Sequence, residues 1–216
     1  MGDFILVTGG ARSGKSRFAE LLASCSGLPV TYIATAQIWD QEMAERVEIH
    51  RQRRPAEWNV IEEPCDLEKI LLSLKDEPGF ILLDCVTVWL SNLLLAASDS
   101  EKTQQEPNQG APAGNCASDC PKTAAEDKIL TQVCQVAQRA TEIRPRVVFV
   151  TNEVGQGIVP DNPLARKYRD LAGRTNQILA EAADSVYMVI AGYPLEIKHQ
   201  GQQILNNLLT QKERFI

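Results

Sequence analysis

The chain has 216 residues, 44% of them hydrophobic and 23% charged, which excludes an intrinsically disordered tract and a fibrous repeat. A chain of this length buries roughly 70 to 75% of the surface its unfolded form exposes, enough for a core without metal or disulfide staples. The net charge of −6 disfavours non-specific binding to nucleic acid or to an anionic membrane surface, and six scattered cysteines in so core-rich a chain are expected to be reduced thiols in a cytoplasm.

Taken in chain order, MGDFILVTGG carries Asp3 where an export signal needs positive charge, and glycine soon interrupts its apolar run. FILVTG from Phe4 reads as a first strand. GGARSGKS, Gly9 to Ser16, follows it at once and fits the G-x-x-x-x-G-K-[ST] pattern of a phosphate-binding loop opening a helix. Glycines at 9, 10 and 14 permit backbone N–H groups to converge on phosphate oxygens, and the helix aims the positive end of its dipole there. Lys15 then reaches the terminal phosphates, and the Ser16 hydroxyl is placed to ligate Mg²⁺.

VTYIAT from Val30 is a second strand. DQEMAERVEIHRQRR, Asp40 to Arg54, has four acids early and Arg46, Arg51, Arg53 and Arg54 late, the polarity that complements a helix dipole. His50 falls on the Met43 and Val47 face; taken alone, it reads as a half-buried histidine beside apolar neighbours. Its chemistry offers more, because an imidazole of pKa ~6.5 is mostly neutral at pH 7 and can attack phosphorus without a dedicated base. Arg51, Arg53 and Arg54 would steady the charge that develops, unless they are only a solvated helix end. WNVIEE from Trp58 is open between a strand and an extended loop. FILLD from Phe80 is a central strand ending in Asp84, placed like the carboxylate that holds a metal's water shell.

VTVWLSNLLLAA, Val86 to Ala97, is too short to cross a bilayer, which takes ~20 residues. Ser98 to Lys122 has little to bury and is expected to be a mobile insertion on the single domain 1–216. Within it, Cys116 and Cys120 lack a second pair or a nearby histidine and make a poor zinc site. Thr123 with Glu126 is a capping box, RVVFVT from Arg146 a further central strand, and Asn162 with Pro163 an N-cap and N1 pair. TNEVGQGIVP places a tight loop at a strand's carboxyl end, where α/β sites gather. In ARKYRDLAGRTNQ the spacing of Arg166, Asp170 and Arg174 predicts i,i+4 ion pairs. SVYMVI from Ser185 is the last predicted strand, and His199 lies in a polar tail. The alternation of strands and helices predicts an α/β fold with a mostly parallel sheet covered on both faces.

The ordered set GGARSGKS, YIATAQIWDQEM, RVEIHRQRRPAEW, IEEP, TNEVGQGIVP and ARKYRDLAGRTNQ resembles the bifunctional adenosylcobinamide kinase / adenosylcobinamide-phosphate guanylyltransferase family. The resemblance implies a RecA-like P-loop NTPase fold, a homo-oligomer (trimeric where the family is known) and two reactions. A nucleoside triphosphate, ATP or GTP, phosphorylates the aminopropanol hydroxyl of adenosylcobinamide. GTP then donates GMP to that phosphate through a guanylylated histidine, releasing pyrophosphate. On this sequence the resemblance implies His50 as nucleophile. It implies nucleotide contacts at Gly9, Gly10, Ala11, Arg12, Ser13, Gly14, Lys15, Ser16, Ala34, Thr35, Ala36, Arg51, Gln52, Arg53, Arg54, Glu62 and Asp84. Some members carry two adjacent histidines; here Ile49 precedes His50, which stands alone. Glu62, Glu63 and Asp84 are acids that could orient a substrate hydroxyl, with simple positioning an equal alternative.

The competing reading is a P-loop small-molecule kinase or ATPase that forms no covalent nucleotide. A GTPase switch fits poorly, since Thr151, Asn152, Glu153, Val154 lacks the Asn-Lys-x-Asp guanine signature, and neither histidine follows the Asp-x-His-x-x-Gly pattern of a corrinoid carrier.

Overall fold

The five predicted runs become strands β1 (Phe4–Thr8), β2 (Val30–Ala34), β4 (Phe80–Asp84), β5 (Arg146–Val150) and β6 (Ser185–Ile190), joined by β3 (Asn59–Glu62) and β7 (Tyr193–Glu196). The computed structural model describes residues 2–37, 41, 45, 48, 51, 52, 54–104 and 124–213, with backbone alone at 98–104 and 210–213. Its strands form one sheet in the order β3–β2–β4–β5–β1–β6–β7, in which only β7 runs antiparallel to its neighbour. The six helices with defined bounds are α1 (Lys15–Cys25), α2 (Leu67–Ser73), α3 (Val86–Gln104), α4 (Ala124–Glu142), α5 (Pro163–Ala182) and α6 (Lys198–Glu213).

Because side chains alternate across a strand, the unbroken apolar run FILLD feeds two cores at once. Ile81 and Leu83 join Phe4, Leu6, Val147 and Phe149 against α2 to α5, where Trp89 is fully buried and donates its indole N–H to the Cys65 carbonyl at 2.8 Å. Phe80 and Leu82 join Val7, Tyr32, Val148 and Val150 against α1 and Trp58 on the opposite face. The helix after β1 therefore packs on one face and the helices after β4 and β5 on the other. Such a reversal opens a crevice at the carboxyl edge of the sheet, where ligands of α/β folds bind.

Register brings distant residues to one level at that edge: Glu62 pairs with Ala34, Ala34 with Asp84, Asp84 with Val150, and Val150 with Val7. Strands stand about 4.8 Å apart, so Asp84 lies about 10 Å from β1 and Glu62 about as far again beyond Asp84.

Some expectations need amendment. WNVIEE resolves as edge strand β3. The first seven residues of the expected insertion, 98–104, are the end of α3, because helical backbone bonding propagates past the last buried apolar position; the rest of 98–122, with Cys116 and Cys120, lies outside the described residues. Helix α4 starts at Ala124, beside the predicted capping box, although Thr123 is not described. Asn162 caps α5 as expected, accepting from Leu164 N at 2.8 Å and Ala165 N at 3.4 Å. The polar tail is helix α6, and β7 was not anticipated. Cys25, Cys65, Cys85 and Cys134 are free thiols, and no helix among the described residues is long and apolar enough to cross a membrane.

Candidate active site

Gly14 ends the loop after β1 and caps α1 in the left-handed region, φ 96°, without a side-chain cap. The first N–H groups of α1 are thus free of an internal acceptor and point at the crevice, the arrangement that binds anions. Two of the three glycines are required by geometry. A Cβ on Gly9 would lie 2.6 Å from the Val189 carbonyl oxygen, and one on Gly14 would lie 3.1 Å from the Gly192 Cα; at Gly10 it would meet nothing within 4 Å. Gly14→Ala is accordingly expected to cost about 2 kcal/mol, seen as a fall of about 4–8 °C in Tm; an unchanged Tm would count against this strain.

A contact that the motif does not announce holds this loop. Ala191 (φ 50°) and Gly192 (φ 87°) make the two-residue turn between β6 and β7, and Gly192 N donates to the Ser13 carbonyl at 2.8 Å. The sequence signal was weak: only Gly192 suits such a turn, since Ala191 takes a positive φ that favours Asn, Asp or Gly. On the other side Glu153 N donates to Gly9 O at 3.1 Å, so the loop after β5 abuts the phosphate loop.

Lys15 is 9% exposed, and its ammonium donates to the Gly10 carbonyl at 3.2 Å. Burial pulls its pKa down, opposed by the charge of Asp84. Ser16 follows Lys15 in the first turn of α1. Beyond Asp84, burial raises the Cys85 thiol, helped by the charge of Asp84 and opposed by the Thr87 hydroxyl, so Cys85 is a neutral thiol. Thr35 has no exposed surface: its hydroxyl donates to Cys85 O at 2.8 Å and accepts from Cys85 N at 3.1 Å. Of the Ala34, Thr35, Ala36 trio, Thr35 therefore serves as a lock between the ends of β2 and β4 rather than as a free hydroxyl.

At the far side of the edge, Arg51 reaches Glu62 at 3.7 Å, with both side chains mostly exposed, and Gln52 donates to Glu48 at 3.0 Å. Arg54 lies over the ring of Tyr32, its guanidinium carbon 3.6 Å from the ring centroid. Glu63 is taken up locally, accepting from Cys65 N and Asp66 N at 2.9 and 2.8 Å. Residues 41, 45, 48, 51 and 52 are helical; His50 and Arg53 lie outside the described residues.

The predicted i,i+4 pairs on α5 do not form. Arg166 turns back to the carbonyls of Pro160 and Asp161, at 2.9 and 2.7 Å, and Asp170 pairs with its neighbour Arg169, because unpaired loop carbonyls are closer partners than the next helical turn. A polar lattice that no motif revealed supports the β5 end of the crevice. Asn152 donates to Thr87 Oγ1 at 3.0 Å, Asn176 donates to Asn152 O at 3.0 Å, Thr151 donates to Asn176 Oδ1 at 2.7 Å, and the Tyr168 hydroxyl donates to Thr87 O at 2.9 Å. Buried Asn92 similarly ties Thr35 O to Pro64 O. Only the clustering of Thr and Asn after apolar strands hinted at these partners.

Comparison with known proteins agrees with this geometry. The chain is 42% identical over 194 residues to the bifunctional adenosylcobalamin biosynthesis protein CobU of Escherichia coli (strain K12), covering 90% of this chain and 99% of that protein. The Salmonella typhimurium CobU is 43% identical with the same coverage, and CobP of Pseudomonas aeruginosa is 40% identical over 89% of this chain and 96% of its own. Among solved structures, the assembled ATPase EscN from the enteropathogenic E. coli type III secretion system superposes with a TM-score of 0.50 at 10% identity, over 88% of this chain and 43% of that one. That likeness shows the fold alone, the RecA-like arrangement expected from the sequence. The family model for cobinamide kinase / cobinamide phosphate guanyltransferase matches residues 5–197, and with the relatives above it shows that the chain belongs to this family.

Proposed function

We propose that this protein phosphorylates the aminopropanol hydroxyl of adenosylcobinamide and then transfers GMP from GTP to the new phosphate by way of a guanylylated His50, completing adenosylcobinamide-GDP. The observation that carries this reading is the family match over residues 5–197 joined to a phosphate loop whose buried Lys15 opens α1. In the first step the substrate hydroxyl oxygen attacks the γ phosphorus, and the bond to the β,γ-bridging oxygen breaks. In the second, an imidazole nitrogen of His50 attacks the α phosphorus and pyrophosphate leaves. The cobinamide phosphate oxygen then displaces the histidine from that phosphorus.

Both halves place negative charge on β and γ oxygens, and both are served by Lys15 and the open N–H groups of α1. The Ser16 hydroxyl and the Asp84 carboxylate are hard oxygen donors that suit Mg²⁺, and these two residues would hold it. The ion, when bound, supplies further neutralisation of phosphate charge. Ala34, Ala36, Arg51, Gln52, Arg54 and Glu62 line the edge beyond Asp84 and, together with Arg53, take the remainder of the nucleotide in this reading. Ile158, 96% exposed, and Val159 stand on the loop that Glu153 ties to Gly9 and offer apolar surface for the bulky corrinoid. Four free thiols fit a reducing cytoplasm, and exposed Tyr193 and Leu195 on edge strand β7 are surface that a subunit contact in a homo-oligomer would cover.

The test uses GTP labelled at either the α or the γ phosphorus. Label from the α position is expected to remain on denatured enzyme as an acid-labile, base-stable adduct, to chase into product when cobinamide phosphate is added, and to be absent with γ label. Turnover that never yields the adduct would favour the plain kinase reading instead.

A further inference from the structure

The family match ends at residue 197, and helix α6 begins at Lys198. Its first turn is tied to the domain. Lys198 Nζ donates to the Glu181 carbonyl at 2.8 Å and to that of Ala183, while Glu196 accepts from the N–H groups of Lys198 and His199 at 3.0 and 3.1 Å. Beyond that turn every side chain from Gln202 to Leu209 is exposed, among them Ile204, Leu205, Leu208 and Leu209 at 56 to 61%. Their spacing of i, i+1, i+4 and i+5 gathers them into one stripe. A helix of this length draws most of its stability from packing such a stripe, so an outward-facing one calls for a partner.

Composition and charge narrow the choice of partner. Residues 105–123 contain no Leu, Ile, Val, Met or aromatic side chain, and only Arg214 to Ile216 follow the helix, so neither stretch can fill the stripe. The stretch between β2 and β3 is tethered at the end of the sheet remote from β6 and β7. An anionic membrane surface calls for Lys or Arg along the polar face, whereas residues 200–211 carry no ionisable side chain. That neutrality suits a second copy of the chain: two such stripes meet without like-charge repulsion, although each chain carries a net charge of −6. The spacing is also self-complementary. In an antiparallel pair with a two-fold axis between positions 206 and 207, Ile204 stands opposite the partner subunit's Leu209, and Leu205 opposite the partner subunit's Leu208.

We propose that α6 is a self-association helix, pairing antiparallel with α6 of a second copy through Ile204, Leu205, Leu208 and Leu209. A closed two-fold contact of this kind doubles whatever particle the rest of the chain forms. It lies outside the matched family region and is independent of the histidine reading given above.

Sedimentation velocity on the full chain, at one protein concentration throughout, tests the pairing with two double variants. Leu205→Lys with Leu208→Lys, and Leu205→Glu with Leu208→Glu, keep good helix formers at exposed positions but set like charges opposite each other across the axis. Each variant alone is expected at half the wild-type mass, and an equal mixture of the two, which sets Lys opposite Glu, is expected to regain the wild-type mass. Full mass in either variant alone, or a mixture that stays at half mass, would overturn the proposal. Should either variant not fold, a chain ended after Gly201 keeps the Lys198 and Glu196 ties; half the wild-type mass is expected of it, and an unchanged number of copies would overturn the pairing. A wild type no heavier than the variants, but sedimenting with vesicles of phosphatidylcholine and phosphatidylserine, would overturn it in favour of a membrane surface.

Discussion

Lys15→Met is expected to lower both the kinase and the guanylyl activity by about 10³-fold or more while making the nucleotide-free protein more stable. The loss follows from the shared demand of the two steps, each of which loads charge onto oxygens that Lys15 faces. The gain follows from burial. Lys15 has 9% of its surface exposed and one carbonyl partner, Gly10, so its charge is held at a desolvation cost that Asp84 only partly offsets. Its folded pKa is lowered below the ordinary 10.5, so the unfolded chain binds that proton more readily. Wild-type stability therefore rises with pH between the lowered folded value and 10.5, and the penalty is present in full below that folded value. Removing the charge should recover about 1 kcal/mol, or about 2–4 °C in Tm. Calorimetry with and without GTP reads both parts: wild type gains stability from the triphosphate, whereas the variant starts higher and gains little. A lower Tm for the nucleotide-free variant would show that the Asp84 interaction outweighs desolvation.

The features legible in the sequence are those written in neighbouring residues. FILVTG and GGARSGKS state strand, loop and helix within thirteen residues, and Asn162-Pro163 states a helix start in two. FILLD was readable as a doubly covered strand because a strand facing two cores has no polar side to show. What stayed hidden depends on pairs far apart in the chain. Nothing near Ser13 says that Gly192 will prop its carbonyl, and nothing near Tyr32 says that Arg54 will lie upon it. β7 escaped notice because it is four residues long and contains Pro194, which only an edge strand tolerates. Arg166 illustrates the limit of helical spacing: i,i+4 geometry offers Asp170, but the carbonyls of Pro160 and Asp161 are better fixed. For His199, the solvated residue expected in the tail is indeed exposed, yet its ring stands 3.2 Å from Glu196, the last residue of β7.

His50→Ala is expected to abolish the α-label adduct and to lower GMP transfer by about 10³-fold or more, while leaving the GTP-induced rise in Tm and most of the kinase step. Among the described residues, the side chains near the crevice other than Lys15 are poor substitutes in the attack. Arginines stay protonated and carry no free electron pair. The Cys85 thiol is held neutral by burial. His199, the other histidine, is occupied with Glu196, so His199→Ala should label like wild type. Lys15 is the one rival, since an amine would also form an acid-labile, base-stable bond to phosphorus, and losing Lys15 would likewise erase the label. The two variants separate these readings through binding and phosphorylation. Lys15→Met should fail in the thermal shift and in both activities, whereas His50→Ala should fail only where the α phosphorus is attacked. Adduct that persists in His50→Ala and disappears in Lys15→Met would move the nucleophile to the phosphate loop. Loss of every activity in both would show that the histidine segment shapes the nucleotide site itself.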